Sequence, residues 1–198
     1  FPVMLEDIKG ARETISLSSY IFDNDPTGHR FVEALSDANQ RGVEVRVLID
    51  GVGAQYTWPP IHRALRRAGL KVAKFLPTLV PARLHYSNLR NHRKITVIDG
   101  RITYCGSRNC ADPEFHVKAR FAPWVDIMLR FEGPVVTQNQ LLFASDWIAA
   151  TGEDLSDIAH SAGPLEGGFP AQVMGDGPTE RRGATPHLFA SLIASARS

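Results

Sequence analysis

The chain has 198 residues, enough for one well-buried core or for one domain and the start of another. Its net charge of +1 excludes a polycation built to coat nucleic acid, so any attraction for phosphate must come from local clusters. Two cysteines, Cys105 and Cys110, exclude a disulfide framework, and no apolar run reaches membrane-spanning length.

Phe1, not Met, opens the chain directly inside a helical pattern (Val3, Met4, Ile8, Ala11, Ile15), which suggests a piece of a longer protein. A β-rich stretch predicts a strand over 15–22, turn chemistry a loop over 23–28, and apolar periodicity a helix over 31–41 closed by Gly42. The run at 43–50 reads as a buried strand. A helix over 61–68 and a short strand over 70–75 follow, then a loop over 79–91 rich in Arg, His and Asn. Strands at 95–98 and 102–105 flank Asp99-Gly100, a strong hairpin signal. Another strand covers 125–131 and another helix 135–149. Alternating strands and helices predict an α/β fold: an α-β-α sandwich with a mixed central sheet over 1–150.

Residues 151–170 read as a linker, and 171–198 as the beginning of a second lobe, with a short strand at 171–174 and a helix at 188–197. The six residues from Asp7 align with the six from Leu192, matching at Ile, Ala and Arg. On pattern alone a repeat and two unrelated amphipathic helices are equally good accounts.

The chemistry concentrates in His92, Lys94, Asp99, Gly106, Ser107 and Asn109, which fit His-x-Lys-x4-Asp-x6-Gly-Ser-x-Asn without a gap. A strand beginning near His92 would turn His92 and Lys94 to one face, and the hairpin would return Gly106 to Asn109 to the same end. Imidazole, ammonium, hydroxyl and amide would then converge. Lys94 would neutralise a phosphate, Ser107 and Asn109 would donate to its oxygens, and His92 is a candidate nucleophile.

These residues resemble the HKD motif of the phospholipase D superfamily. The segments Ser19-Tyr20-Ile21-Phe22, Trp124-Val125-Asp126, Glu132-Gly133-Pro134 and Phe143-Ala144-Ser145-Asp146-Trp147 look like its cardiolipin synthase branch. The resemblance implies two HKD lobes facing each other: one histidine attacks phosphorus to form a phosphohistidine, and the other protonates the leaving alcohol. It implies no metal and no cofactor. It implies a catalytic set of His92, Lys94, Asp126 and Asp99, with His92 as nucleophile or general acid (nucleophile being preferred for a first motif) and Lys94, Ser107 and Asn109 binding phosphate. Asp126 would be the acidic partner orienting the histidine. Asp99 is the motif's namesake, yet its place at the turn suggests a structural hydrogen-bonding role. The implied substrate is a phospholipid such as phosphatidylglycerol, and the implied location is a membrane surface, through peripheral contact or segments outside this chain.

The sequence departs from the family in having one motif: His116 and Lys118 keep the first spacing but lack the Asp and the Gly-Ser-x-Asn that should follow. His62, His85, His160 and His187 have no partners at recognisable spacing. The site therefore needs a second lobe or a second copy of the chain, and the linker followed by a lobe-like fragment favours the former. A nuclease or other hydrolase is the rival enzyme, nucleic acid being the less favoured substrate. A phosphate-binding module without activity is the third reading. The basic cluster Arg63, Arg66, Arg67, Lys71 and Lys74 suits anionic headgroups or, at i, i+4 spacing, an ordinary solvated helix face. The apolar loops Leu79-Val80-Pro81 and Trp58-Pro59-Pro60 divide likewise between a lipid-facing cleft and simple packing.

Overall fold

The computed structural model describes residues 1–77, 89–112, 125–158, 163–180 and 183–196. Its first half alternates helix α1 (Pro2–Gly10), strand β1 (Thr14–Ser19), α2 (Pro26–Gln40), β2 (Glu44–Asp50), α3 (His62–Arg67) and β3 (Lys71–Phe75). Three strands follow, β4 (Ile95–Ile98), β5 (Ile102–Gly106) and β6 (Met128–Glu132), then α4 (Val135–Thr151) and α5 (Thr185–Ser195). The strands form one sheet in the order β3-β2-β1-β4-β5-β6. β1, β2 and β3 run parallel, whereas β4, β5 and β6 are each antiparallel to the preceding neighbour in the sheet.

Both sheet faces are covered, giving the expected α-β-α sandwich. Ile15 and Leu17, two apart on β1, point to one face and pack with Met4, Ile8, Phe31 and Leu35 from α1 and α2. On the other face Phe143 and Trp147 of α4 pack with Leu48, Ala73 and Phe75, and Val136 packs with Ile95 and Val97. Full burial of such side chains contributes about 1.5–3 kcal/mol each, which fixes α4 across the sheet. Polar residues inside this layer are paired: Gln140 Nε2 donates to Ser16 Oγ at 3.1 Å, and Asn139 Nδ2 to Thr103 Oγ1 at 3.0 Å.

Several boundaries differ from expectation. β1 ends at Ser19, because the Ser19 hydroxyl turns back to the Ile21 carbonyl and Phe22 makes only an isolated bridge to Cys110. Residues 26–28, expected in a loop, open α2: the Asp25 carboxylate accepts from Gly28 N at 2.7 Å and Pro26 occupies the first turn. Regular pairing around the motif starts at Ile95, so His92 and Lys94 precede β4 and are not part of it. Residues 171–174 form no strand; Val173 N instead donates to Gln138 Oε1 at 2.6 Å, laying this segment against α4. α5 begins at Thr185 and buries none of its residues. The Asp99-Gly100 hairpin forms as expected, with φ of 51° and 60° at the two positions, the left-handed pair that a two-residue turn requires.

Candidate active site

The strand directions bring distant parts of the sequence to one edge of the sheet. In register, Ser19 lies beside Ile49, Ser18 beside Ile95, Ile95 beside Cys105, and Gly106 beside Met128. Asp50, Tyr20, residues 91–94, Ser107 and Asp126 therefore fall in a row across that edge, at the carboxyl ends of the parallel strands. Open α/β sheets place ligands there.

Residues 91–94 lie outside the strand ladder, and their side chains alternate in the partners they reach. Lys94 Nζ donates to the His92 carbonyl at 2.7 Å and lies 2.9 Å from His92 Nδ1. The Tyr20 ring packs against both, with its centroid 4.5 Å from the imidazole and 5.4 Å from Lys94 Nζ. Asn91 and Arg93 point the other way. Asn91 Nδ2 donates to Asp146 Oδ2 at 2.7 Å and Arg93 Nη1 to Asp146 Oδ1 at 2.5 Å, while Asn91 N donates to Asp50 Oδ2 at 2.9 Å. Asp50 and Asp146 are buried carboxylates that hold the backbone on which His92 and Lys94 sit.

Burial lowers the Lys94 pKa to about 8, against the opposing pull of Asp126 and Asp50. Burial and then the neighbouring Lys94 charge hold His92 below its ordinary value near 6.5, opposed by Asp50, so the imidazole is neutral at pH 7. Burial, followed by the Tyr56 hydrogen bond, pushes Tyr20 up to about 12, which keeps its hydroxyl protonated.

Gly106 is needed at the end of β5: a Cβ there would stand 2.1 Å from the Ile127 carbonyl oxygen. That close approach lets Ser107 N donate to Ile127 O at 2.9 Å, and Ser107 Oγ donates to Asp126 Oδ1 at 2.7 Å. Asn109 Oδ1 accepts from Ile21 N at 3.0 Å, which fixes the amide with Nδ2 as its remaining donor.

His92 and Lys94 are thus in direct contact, and Ser107 and Asp126 form a second pair at the same edge. Asp126, expected to orient the imidazole, takes its hydrogen bond from Ser107, and its field is felt at Lys94. Asp99 does not join the cluster. It stands at the far end of β4, where its carboxylate accepts from the N–H groups of Arg12, Glu13 and Thr14 at 2.8–2.9 Å. Its place in the motif is to close the β1–β4 register. His85, His116, Lys118, Trp124, His160 and the 79–81 loop lie outside the described residues; His187 is exposed on α5. Asn91 and Arg93 are not singled out by sequence as site residues, Asp50 only closes the expected strand at 43–50, and Tyr20 and Asp146 enter only as parts of resembling segments. The alternation of 91 and 93 with 92 and 94 was the available signal. Among the described residues no group of His, Cys, Asp or Glu is arranged to hold a metal ion, and no helix is long and apolar enough to cross a membrane.

Residues 4–139 match the family model described as the cardiolipin synthase, PLD-like domain. The chain belongs to the cardiolipin synthase-like branch of the phospholipase D superfamily. It is 34% identical over 197 residues to a cardiolipin synthase of Alkalihalophilus pseudofirmus, covering 98% of this chain and 39% of that protein. It is 36% identical over 182 residues to cardiolipin synthase A of Pectobacterium atrosepticum, covering 88% and 37%. The chain thus spans about two fifths of the length of these curated relatives. Among solved structures it is similar to Nuc of Salmonella typhimurium, a phospholipase D family member, with TM-score 0.56 and 20% identity over 75% of this chain and 87% of that one. NucT of Helicobacter pylori gives TM-score 0.58 and 16% identity over the same shares. At these identities the two structures establish the shared fold, and the site of the phospholipase D-like lobe rests on the sequence relatives and the geometry.

Proposed function

We propose that this chain carries one half of a phosphodiester-transfer site that moves a phosphatidyl group between alcohols, with phosphatidylglycerol as donor. The observation that carries this reading is the convergence of His92, Lys94, Ser107 and Asn109 at one sheet edge within a cardiolipin synthase-like lobe. In the first step a His92 ring nitrogen bonds to phosphorus as the P–O bond to glycerol breaks. The departing alkoxide takes a proton from the acid of the other half. In the second step that same group removes the proton of the incoming alcohol, whose oxygen attacks phosphorus as the P–N bond breaks.

Lys94 has two roles in this scheme. Donating to Nδ1, it fixes the imidazole with hydrogen on Nε2, which blocks attack through that nitrogen. A bound phosphate draws the ammonium to its oxygens and frees Nδ1 to carry the hydrogen. Asp126, held at the same edge, is then the carboxylate that stabilises the resulting cation. The complementary half comes from a second HKD lobe, of which 171–198 is the beginning, or from a second copy of the chain. Action at a membrane surface follows from the substrate.

The test is turnover of a chromogenic phosphodiester and of phosphatidylglycerol by this chain and by His92→Ala, with the mass in solution measured alongside. Acid-labile labelling of His92 by headgroup-cleaved lipid supports the reading. Turnover that persists undiminished in His92→Ala overturns it, an inactive folded monomer is the half-site outcome, and DNA cleavage without lipid turnover overturns the lipid assignment. An active dimer would show that two single motifs build the site.

A further inference from the structure

Most basic side chains near the core face a carboxylate. Lys71 pairs with Glu44 and Glu153, Arg46 with the same two, Arg90 with Asp50, Arg93 with Asp146 and Glu180, and Arg130 with Asp7 and Glu132. Arg63, Arg66, Arg67 and Lys74 have no ion pair with any described residue. Arg63, Arg66 and Arg67 are exposed on α3, and Lys74 projects from the neighbouring β3. Three of them are close enough to act on one another: Arg66 and Arg63 both add to the burial that lowers Lys74. His62 lies beneath them, more than nine-tenths buried with Nδ1 unpartnered. Burial first, then Lys74, Arg66 and Arg63, push it down to about 4, so it adds no charge of its own. Gathering like charges without a counter-ion costs free energy, which an external anion would offset.

An aromatic element adjoins the cluster. Trp58 is 80% exposed, and the Arg63 guanidinium lies 4.6 Å from the centre of its ring. The loop that presents it is anchored: Thr57 Oγ1 donates to Asp23 Oδ1 and accepts from Asn24 N, and Pro59 O accepts from Asn24 Nδ2 at 2.8 Å. The loop that carries Trp58 also carries Tyr56, whose ring lies 6.5 Å from Tyr20, which in turn packs on His92, so the loop reaches from the patch to the candidate site.

We propose that Trp58 with Arg63, Arg66, Arg67 and Lys74 forms a docking surface for an anionic phospholipid bilayer, presenting lipid to the His92 edge. An exposed indole beside unpaired cations is the combination that seats a protein at the headgroup layer. Lys71, part of the same sequence cluster, is excluded because Glu44 and Glu153 already neutralise it. The proposal rests on the phospholipid reading of the site.

The experiment is sedimentation of the 198-residue His92→Ala chain with phosphatidylcholine vesicles and with vesicles containing one third phosphatidylglycerol, so that turnover does not enter. Each neutralised cation weakens binding about fivefold, so Arg63→Gln/Arg66→Gln/Lys74→Gln should lose about one hundredfold on anionic vesicles. Arg63→Lys/Arg66→Lys should keep most of the affinity, which separates charge from misfolding, and Lys71→Gln should change it less than twofold. Trp58→Ala should abolish a blue shift of tryptophan emission on binding. Triple-variant binding equal to the parent, or no preference for anionic vesicles, overturns the proposal. So does tighter binding of a single-stranded oligonucleotide than of vesicles through the same residues. Phosphodiester turnover by the unsubstituted chain is scored separately, so loss of the docking surface and failure of the functional reading remain distinguishable.

Discussion

The anchor beneath the motif gives the sharpest test of how the site is held. Asp146 is fully buried and accepts from Arg93 Nη1, Asn91 Nδ2 and Thr179 Oγ1. The Arg93 side chain is 10% exposed, and Glu180, its second carboxylate, lies at 3.1 Å. Removing one partner of a buried pair costs roughly 3–5 kcal/mol, and Glu180 keeps part of the charge compensated, so the low end applies here. Orphaning the Asn91 amide adds about 1 kcal/mol. Asp146→Leu should therefore destabilise by about 4 kcal/mol, or roughly 10 °C in Tm for a chain of this size. Arg93→Met should cost about 3 kcal/mol. The double variant buries no unpaired charge and should recover at least half of the summed loss. Urea unfolding of the four chains measures the cycle. Each single variant should also weaken binding of dimethyl phosphate several-fold, because His92 and Lys94 stand on the same four residues. Additivity within 0.5 kcal/mol, or single variants as stable as the parent, would refute the idea that this pair anchors the motif.

Gly106→Ala forces a methyl group onto the Ile127 carbonyl, and should lose about 3 kcal/mol of stability by urea unfolding together with phosphodiester binding. Asp99→Ala removes the acceptor of three backbone N–H groups at the far end of β4. It should cost about 2 kcal/mol while leaving the Kd for dimethyl phosphate within twofold, as measured by calorimetry. Lys94 binds an anion only when protonated, and its pKa is lowered to about 8. Dimethyl phosphate keeps its charge over this range, so its affinity should hold below pH 8 and fall about tenfold per pH unit above it. Lys94→Arg should abolish that fall, since guanidinium stays charged. On the acid side, any His92-dependent turnover should decline only below pH 6.5, because the imidazole must be neutral to attack.

Elements with strong periodicity were legible: the β2 run, the α4 helix and the Asp99-Gly100 turn stand where pattern and turn chemistry put them. Where local chemistry has two uses, sequence pattern alone does not decide between them. Asp-Asn-Asp-Pro at 23–26 suits a loop as well as a helix cap, and the cap wins because Pro26 needs no hydrogen-bonded N–H in the first turn. Residues 171–174 look like a strand by composition, but the Val173 N–H is taken by the Gln138 side chain of α4 and not by a neighbouring strand. The residues of the candidate site were legible because they lie in one gapless motif. Its supports were not, because Asp50 and Asp146 reach Asn91 across separations of 41 and 55 residues.

Those supports explain how an unpaired stretch can hold the side chains of the candidate site in place. Between residue 91 and the start of β4 the backbone has left the ladder, so strand pairing cannot fix it there. Two buried carboxylates replace the ladder: Asp50 holds the Asn91 N–H, and Asp146 holds the side chains of Asn91 and Arg93. Because these side chains alternate, anchoring 91 and 93 on one side commits 92 and 94 to the other. The same Arg93 reaches Thr179, Glu180 and the Asp176 carbonyl, and Thr179 also donates to Asp146, so the segment that follows α4 is tied to the motif by the guanidinium and by the carboxylate beneath it. A shift of that segment would be felt at His92 and Lys94 through Arg93 and Asp146. The residue between the motif's His and Lys is therefore a positioning residue rather than a spacer.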